Sequence, residues 1–185
     1  MTYLTQYIAD FPAKKGAKPK SRLVRIYADF AEMEISPRVF CQVDLVDIHF
    51  FGKPWIYSHG YAILNNRPGP ALRLHSEILN IDTKLDIDHK DGNKLNNRRS
   101  NLRLATRTQN LRNNGLRKDS LSGFKGVTKR RRKQDTRWGA YLNVDGKQLA
   151  LGTFSTAKEA AHSYDEAAIQ YFGEYARTNK MMGLL

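Results

Sequence analysis

Hydrophobic and polar positions alternate most strictly near the C-terminus. Trp138, Ala140, Leu142 and Val144 share one parity; Arg137, Gly139, Tyr141 and Asn143 share the other. In a strand, successive side chains point to opposite faces, so this pattern predicts a half-buried strand. Asp145-Gly146 then predicts a two-residue hairpin, because a type I′ turn needs positive φ at both positions. Lys147 to Phe154 is the return strand, with Leu149 and Leu151 on the apolar face, and Lys125 to Arg131 a first strand beside them. The period then changes. Thr156-Ala157-Lys158-Glu159 is a capping box, and Ala160, Ala161, Tyr164, Ala167, Ala168 and Tyr171 make a helical stripe that Gly173 ends. The small alanines let that helix lie close on a three-stranded antiparallel sheet.

Upstream, the apolar runs are shorter. Trp55-Ile56-Tyr57 and Tyr61-Ala62-Ile63-Leu64, separated by Ser58-His59-Gly60, read as a hairpin. Ala71 to Leu79 is expected to be a short helix, with Leu72, Leu74, Ile78 and Leu79 available for packing. Leu85 to Lys90 and Asn101 to Ala105 are expected to be strands either side of a polar loop, and Thr106 to about Asn114 a second helix. Before Val43 the pattern decides little. Arg22 to Ala31 suits a strand or a helix start, and Ala13 to Lys20 has the composition of a flexible basic arm. The resulting division is an N-terminal arm over 1–42, a domain over 43–115, a polar linker over 116–122 and a sheet-and-helix module over 123–180. The class is α+β.

Composition and charge narrow the possible functions. No apolar run reaches the roughly 18 residues of a membrane span, and Met1 to Asp10 lacks a secretory pattern. The single cysteine, Cys41, offers neither an internal disulfide nor a Cys-rich zinc site, and is expected to be a buried thiol in a reducing, intracellular setting. Nothing implies a membrane or an obligate protein partner. The net charge of +13 is localised: Lys90 to Arg137 holds 16 Lys and Arg against three acids, and the rest of the chain is neutral. A concentrated basic stretch is the electrostatic footprint of a polyanion binder, here expected to be double-stranded DNA. A solvated loop or a membrane-surface patch would carry the same charge.

Within that stretch lies the run from Asp88-His89-Lys90-Asp91-Gly92-Asn93 through Asn96-Asn97-Arg98-Arg99-Ser100-Asn101-Leu102-Arg103, followed by Asn110. His89 to Asn101 is twelve residues and Asn101 to Asn110 nine. This run resembles the HNH nuclease family, and more closely its H-N-N variety in phage and intron-borne homing endonucleases. The resemblance implies a ββα-metal unit: a strand ending in Asp-His, a loop, a second strand and a helix. It implies Asp88 and Asn110 as ligands of one Mg²⁺ or Mn²⁺ ion, His89 as general base, and Asn101 as the residue holding the imidazole. Arg98, Arg99 and Arg103 would position phosphates. Oxygen ligands suit these ions, and a near-neutral imidazole suits deprotonation of water. Taken singly, each residue has a structural reading too, as a turn cap, a loop residue or a hydrogen-bonded histidine. His49, His59, His75 and His162 are read as scaffold.

A second resemblance covers Gly123 to Asn179. Gly126-Val127, Trp138, Leu151-Gly152-Thr153-Phe154 and Ala160 to Ala168 look like the plant ethylene-response-factor (Apetala-type) DNA-binding domain. That family lays its sheet in the major groove, which would turn Thr128, Arg130, Arg132, Tyr141, Asn143 and Gln148 toward DNA. Thr128 and Asn143 stand where arginines are usual, and Ala150 where tryptophan is, so the plant recognition sequence does not carry over. A regulator that has kept the nuclease fold without cleaving, and an RNA-binding structural protein, are the competing readings. The intact set Asp88, His89, Asn101 and Asn110 argues against the first, and the second fits the charge but explains neither motif.

Overall fold

A computed structural model describes residues 2–11, 20–131 and 136–185. It is a mixed α/β chain whose paired strands are antiparallel, in two compact units, Met1–Ala105 and Thr106–Leu185. No described helix is long and apolar enough to cross a membrane.

The first unit opens with a four-stranded meander, β1 (Thr5–Phe11), β2 (Lys20–Ile26), β3 (Phe30–Ser36) and β4 (Val39–Asp44), in that spatial order. Much of the stretch expected to be an arm is therefore sheet, apart from residues 12–19, which lie outside the described residues. The period-2 signal is weak there for a physical reason. Strand β1 is an edge strand, exposed over most of its length, and β3 carries a buried Glu32 that accepts from Arg25 and Tyr27. Val24, Met33, Ile35, Cys41 and Val43 from this sheet join Phe51, Trp55 and Leu74 in one core. Cys41 is a free, fully buried thiol whose pKa burial pushes up to about 12.

A 3-10 segment, Leu45–Gly52, leads into a small sheet of β5 (Ile56–Ser58), β6 (Tyr61–Leu64) and β7 (Leu72–Arg73). The expected hairpin turns at His59-Gly60, and helix α1 (Leu74–Leu79) begins three residues later than the apolar pattern suggests, because Leu72 and Arg73 pair with β6. Strands β8 (Asp86–His89) and β9 (Leu102–Ala105) form a separate antiparallel pair.

Helix α2 (Arg107–Arg112) follows, with a capping box between Thr106 and Gln109. It belongs to the second unit, where Lys125 Nζ donates to the carbonyls of Arg112 (2.7 Å) and Asn114 (2.6 Å), and the Arg112 guanidinium sits over Phe172. The remaining elements are β10 (Val127–Arg131), β11 (Thr136–Val144), β12 (Lys147–Phe154) and α3 (Ala157–Phe172). Asp145 and Gly146 both have positive φ, and the Thr156–Glu159 capping box is formed. On α3 the stripe runs through Tyr164 and Ala168 to Phe172; Tyr171, expected in it, is 49% exposed. At 100° per residue, Phe172 stands two i+4 steps from Tyr164 and stays on its face. A bulge at Leu151 lets both Leu151 and Phe154 turn to the helix side despite their opposite parity.

Gly126 shows how tightly sheet and helix approach. Its φ is +74°, and a Cβ there would come within 2.0 Å of the Tyr164 ring. Gly126→Ala should therefore cost about 2–5 kcal/mol through left-handed strain and overpacking. Denaturant unfolding of the full chain measures this, and an unchanged midpoint would show that the approach is not tight.

Candidate active site and strand-face interface

Strand β8 ends in Asp88 and His89, both buried, at 5% and 4% exposure. Their neighbours across the ladder are Arg103 and Leu102. Directly opposed residues bring their Cβ atoms within about 5.5 Å, so the Arg103 guanidinium closes on Asp88: Nε at 2.9 Å and Nη2 at 2.7 Å both reach Oδ2. This pair is nearly dry, with Arg103's side chain only 8% exposed. Arg103 thus fixes the carboxylate rather than presenting its charge to solvent.

The expected roles of Arg98 and Arg99 change for the same reason. Arg98 donates to Asp44 (3.0 Å) and Asp29 (2.8 Å), and Arg99 grips both oxygens of buried Asp47 at 2.8 Å. The Arg99 backbone N–H also donates to Asp44. Arg103 therefore ties β9 to β8, while Arg98 and Arg99 tie the segment before β9 to acids 52 to 69 residues upstream.

The loop between β8 and β9 is a hydrogen-bonded knot. Asp91 accepts from Asn93 N–H, Asn96 Nδ2 and Asn101 Nδ2. Asn101 also accepts from Asp91 N–H (3.0 Å) and donates to the Asn96 carbonyl (2.8 Å). Asn101, expected to hold the imidazole, holds the loop instead. Asn97 is a partner of the ring: His89 Nε2 lies 3.3 Å from Asn97 Oδ1. Asn97 is buried, its Nδ2 donates to the Leu95 carbonyl, and its backbone N–H donates to the Gln42 carbonyl on β4. With Nδ2 so committed, Oδ1 faces the ring, which makes Nε2 the donor and leaves the lone pair on Nδ1. Nothing in the local sequence separates Asn97 from Asn96; the distinction needs the contact with β4.

Two rings complete the surroundings. His75, on α1, stands edge-on to His89 at 5.1 Å between centroids, and Tyr61 lies 6.3 Å away. His75 is buried, and desolvation first, then the charge of His89 and of Arg73, drives its pKa down to about 3. The scaffold reading of His75 from sequence did not anticipate this contact. Burial also lowers the pKa of His89, opposed by its bond to Asn97 and the charges of Asp91 and Asp88. In both imidazoles burial favours the neutral form. Asn110 is half-buried on α2, in the second unit.

In the second unit the strand register places Thr128, Arg130, Tyr141, Asn143 and Gln148 on the face away from α3, while Arg132 lies outside the described residues. Tyr141 lies against Gly139, and the Arg130 guanidinium stands 5.2 Å from the Tyr141 ring centre. The pair puts a cation and an aromatic ring side by side on this face.

Comparison with known proteins agrees with both halves. Residues 80–112 match the family described as HNH endonuclease. The chain carries an HNH endonuclease motif. An Acanthamoeba polyphaga mimivirus protein called "Uncharacterized HNH endonuclease L560" is 38% identical over 101 residues, which are 55% of this chain and 50% of that one. Over the C-terminal part, the rice (Oryza sativa subsp. japonica) AP2-like ethylene-responsive transcription factor CRL5 is 52% identical over 60 residues, 31% of this chain and 9% of the relative. The Arabidopsis thaliana ethylene-responsive transcription factor ERF069 is 37% identical over 98 residues, 50% of this chain and 58% of its own. The chain spans half the length of the viral relative it matches. No solved structure matches. The residues that match the HNH family include β8, its loop, β9 and α2, and the part similar to AP2-like factors follows them.

Proposed function

We propose that the chain is a divalent-metal-dependent DNA endonuclease of the homing type, with β8, β9 and α2 acting as a ββα-metal unit. The observation that carries this reading is the buried Asp88–His89 pair at the end of β8, its imidazole oriented by Asn97, inside the HNH motif. His89 Nδ1 carries the lone pair and takes a proton from the attacking water. His75 and Tyr61 stand beside the ring, and burial lowers the pKa of His89, which favours its proton-accepting form.

Asp88 and Asn110 are the residues we assign to the metal ion. Among the described residues, no three of His, Cys, Asp and Glu gather as a structural or catalytic zinc site requires. One carboxylate and one amide oxygen instead suit Mg²⁺ or Mn²⁺, which keep waters and share phosphate oxygens. When bound, the ion would polarise the scissile phosphate and stabilise the leaving oxygen. Arg103 holds Asp88 Oδ2 and presets the direction of the carboxylate before an ion arrives.

The AP2-like sheet supplies the grip on double-stranded DNA. Arg130 and Tyr141 provide cation and ring, and Asn143 and Gln148, directly paired across the ladder, provide amides able to read base edges. Arg132, outside the described residues, is assigned to DNA contact by its match to the family pattern alone. Incubation of the full chain with duplex DNA in Mg²⁺ tests the proposal: breaks should appear, and chelator should prevent them. Arg130→Gln/Tyr141→Ala should weaken duplex binding by roughly ten-fold or more, since cation–phosphate and ring contacts each contribute on the order of 1 kcal/mol. Unchanged affinity in a folded double variant would remove this face from the interface.

A further inference from the structure

The motif's three arginines Arg98, Arg99 and Arg103 are occupied by Asp29, Asp44, Asp47 and Asp88, so a nuclease unit that grips a phosphate beside His89 needs other cations. We propose that Arg73 and Lys94, both held on the ring of Tyr61, are the phosphate-binding pair next to the catalytic histidine, and that their ligand is the DNA backbone. The inference rests on the nuclease reading above.

Four observations support it. Arg73 and Lys94 are exposed, and among the described residues neither is ion-paired with a carboxylate. They come from separate places, β7 and the β8–β9 loop, yet meet on one ring: the Arg73 guanidinium carbon is 5.0 Å and Lys94 Nζ 4.5 Å from the Tyr61 centroid. Tyr61 itself stands 6.3 Å from His89 and 5.4 Å from His75, so the ring that carries the two cations neighbours both imidazoles. Finally, the path of Lys94 is shaped by the β5–β6 turn. Gly60 has a φ of +89°, and a Cβ there would press to 3.2 Å from Lys94 Cδ.

The physical logic is preorganisation. Long cationic side chains lose rotamer entropy when a ligand fixes them. A ring that already holds both heads reduces that loss, and two cations with no carboxylate ion pair among the described residues favour an anion. Arg offers a planar fork and Lys a compact charge, the two usual ways of holding phosphate oxygens. Tyr61 is therefore a positioning residue, acting through the two cations it carries.

The experiment compares wild type with full-length Arg73→Gln/Lys94→Gln, and with Lys158→Gln on the exposed surface of α3 as a charge control. Duplex binding is measured against salt in chelator, and single-turnover cleavage in Mg²⁺. Removing one cation from a phosphate flattens the slope of log affinity against log salt by about 0.9, so the double variant should lose about 1.8. Its cleavage at subsaturating DNA should fall by an order of magnitude or more, and the control should stay within the effect of a single distant charge. An unchanged slope in the folded double variant overturns the assignment. A wild type that never cleaves in Mg²⁺ would sink the nuclease reading instead, and the slope measured without metal would still decide whether Arg73 and Lys94 hold phosphate.

Discussion

Asp88→Asn should reduce cleavage by about 10³-fold or more while leaving duplex binding within a few-fold. The carboxylate is the only full negative charge we assign to the ion, and the charge stabilisation that the ion supplies amounts to several kcal/mol of barrier. Asparagine keeps the size of the side chain and an oxygen for Arg103 to donate to, so the local fold should persist. Asp88→Ala is a less clean test. It would remove the carboxylate that accepts from the Arg103 guanidinium in a nearly dry pair, and breaking such a pair costs about 3–5 kcal/mol. The alanine variant should thus show a lower unfolding midpoint than the asparagine variant, with both inactive. An asparagine variant that cleaves at the wild-type rate would remove Asp88 from the active site.

His89→Ala should slow single-turnover cleavage by roughly 10²–10⁴, the range for loss of a general base. The pH profile of the wild type adds an independent reading. Burial lowers the pKa of His89 below its ordinary 6.5, so the neutral, proton-accepting form persists as pH falls through that value. The rate should hold through the usual histidine range and decline only below it. An acid limb centred above 6.5 would mean that another group sets protonation, and unchanged cleavage by the alanine variant would exclude His89.

The C-terminal unit was the most legible part of the chain. Strict alternation, Asp145-Gly146 and Thr156 with Glu159 are local signals, and each corresponds to an observed strand pair, turn or cap. The first four strands were not legible, because an exposed edge strand and a buried Glu32 with cationic and phenolic partners erase the apolar period. Asp88 and His89 were readable as a pair from spacing. The fates of Arg98 and Arg99 were not, since their acids lie more than 50 residues away and reach them only through the fold. Asn97, to which the sequence assigned no role, faces the imidazole for a similar reason. The connection of β4 to the loop through Gln42, which no local pattern encodes, turns Asn97 inward. The helix carrying Asn110 likewise joins the second unit, because Lys125 and Phe172 hold its C-terminal end there. A cut after Gly115 would strip α2 of that support, so point substitutions are the sharper tool for separating chemistry from grip.

The most direct measurement is single-turnover cleavage of a supercoiled plasmid by the full chain, run in parallel with Mg²⁺, with Mg²⁺ plus chelator, and with the His89→Ala protein in Mg²⁺. If the buried Asp88–His89 pair is a metal-assisted hydrolytic site, wild type should convert the plasmid to nicked or linear DNA only when Mg²⁺ is free, and the alanine variant should be slower by at least about 10². Cleavage that survives chelator, or that proceeds equally fast without the imidazole, would contradict the account.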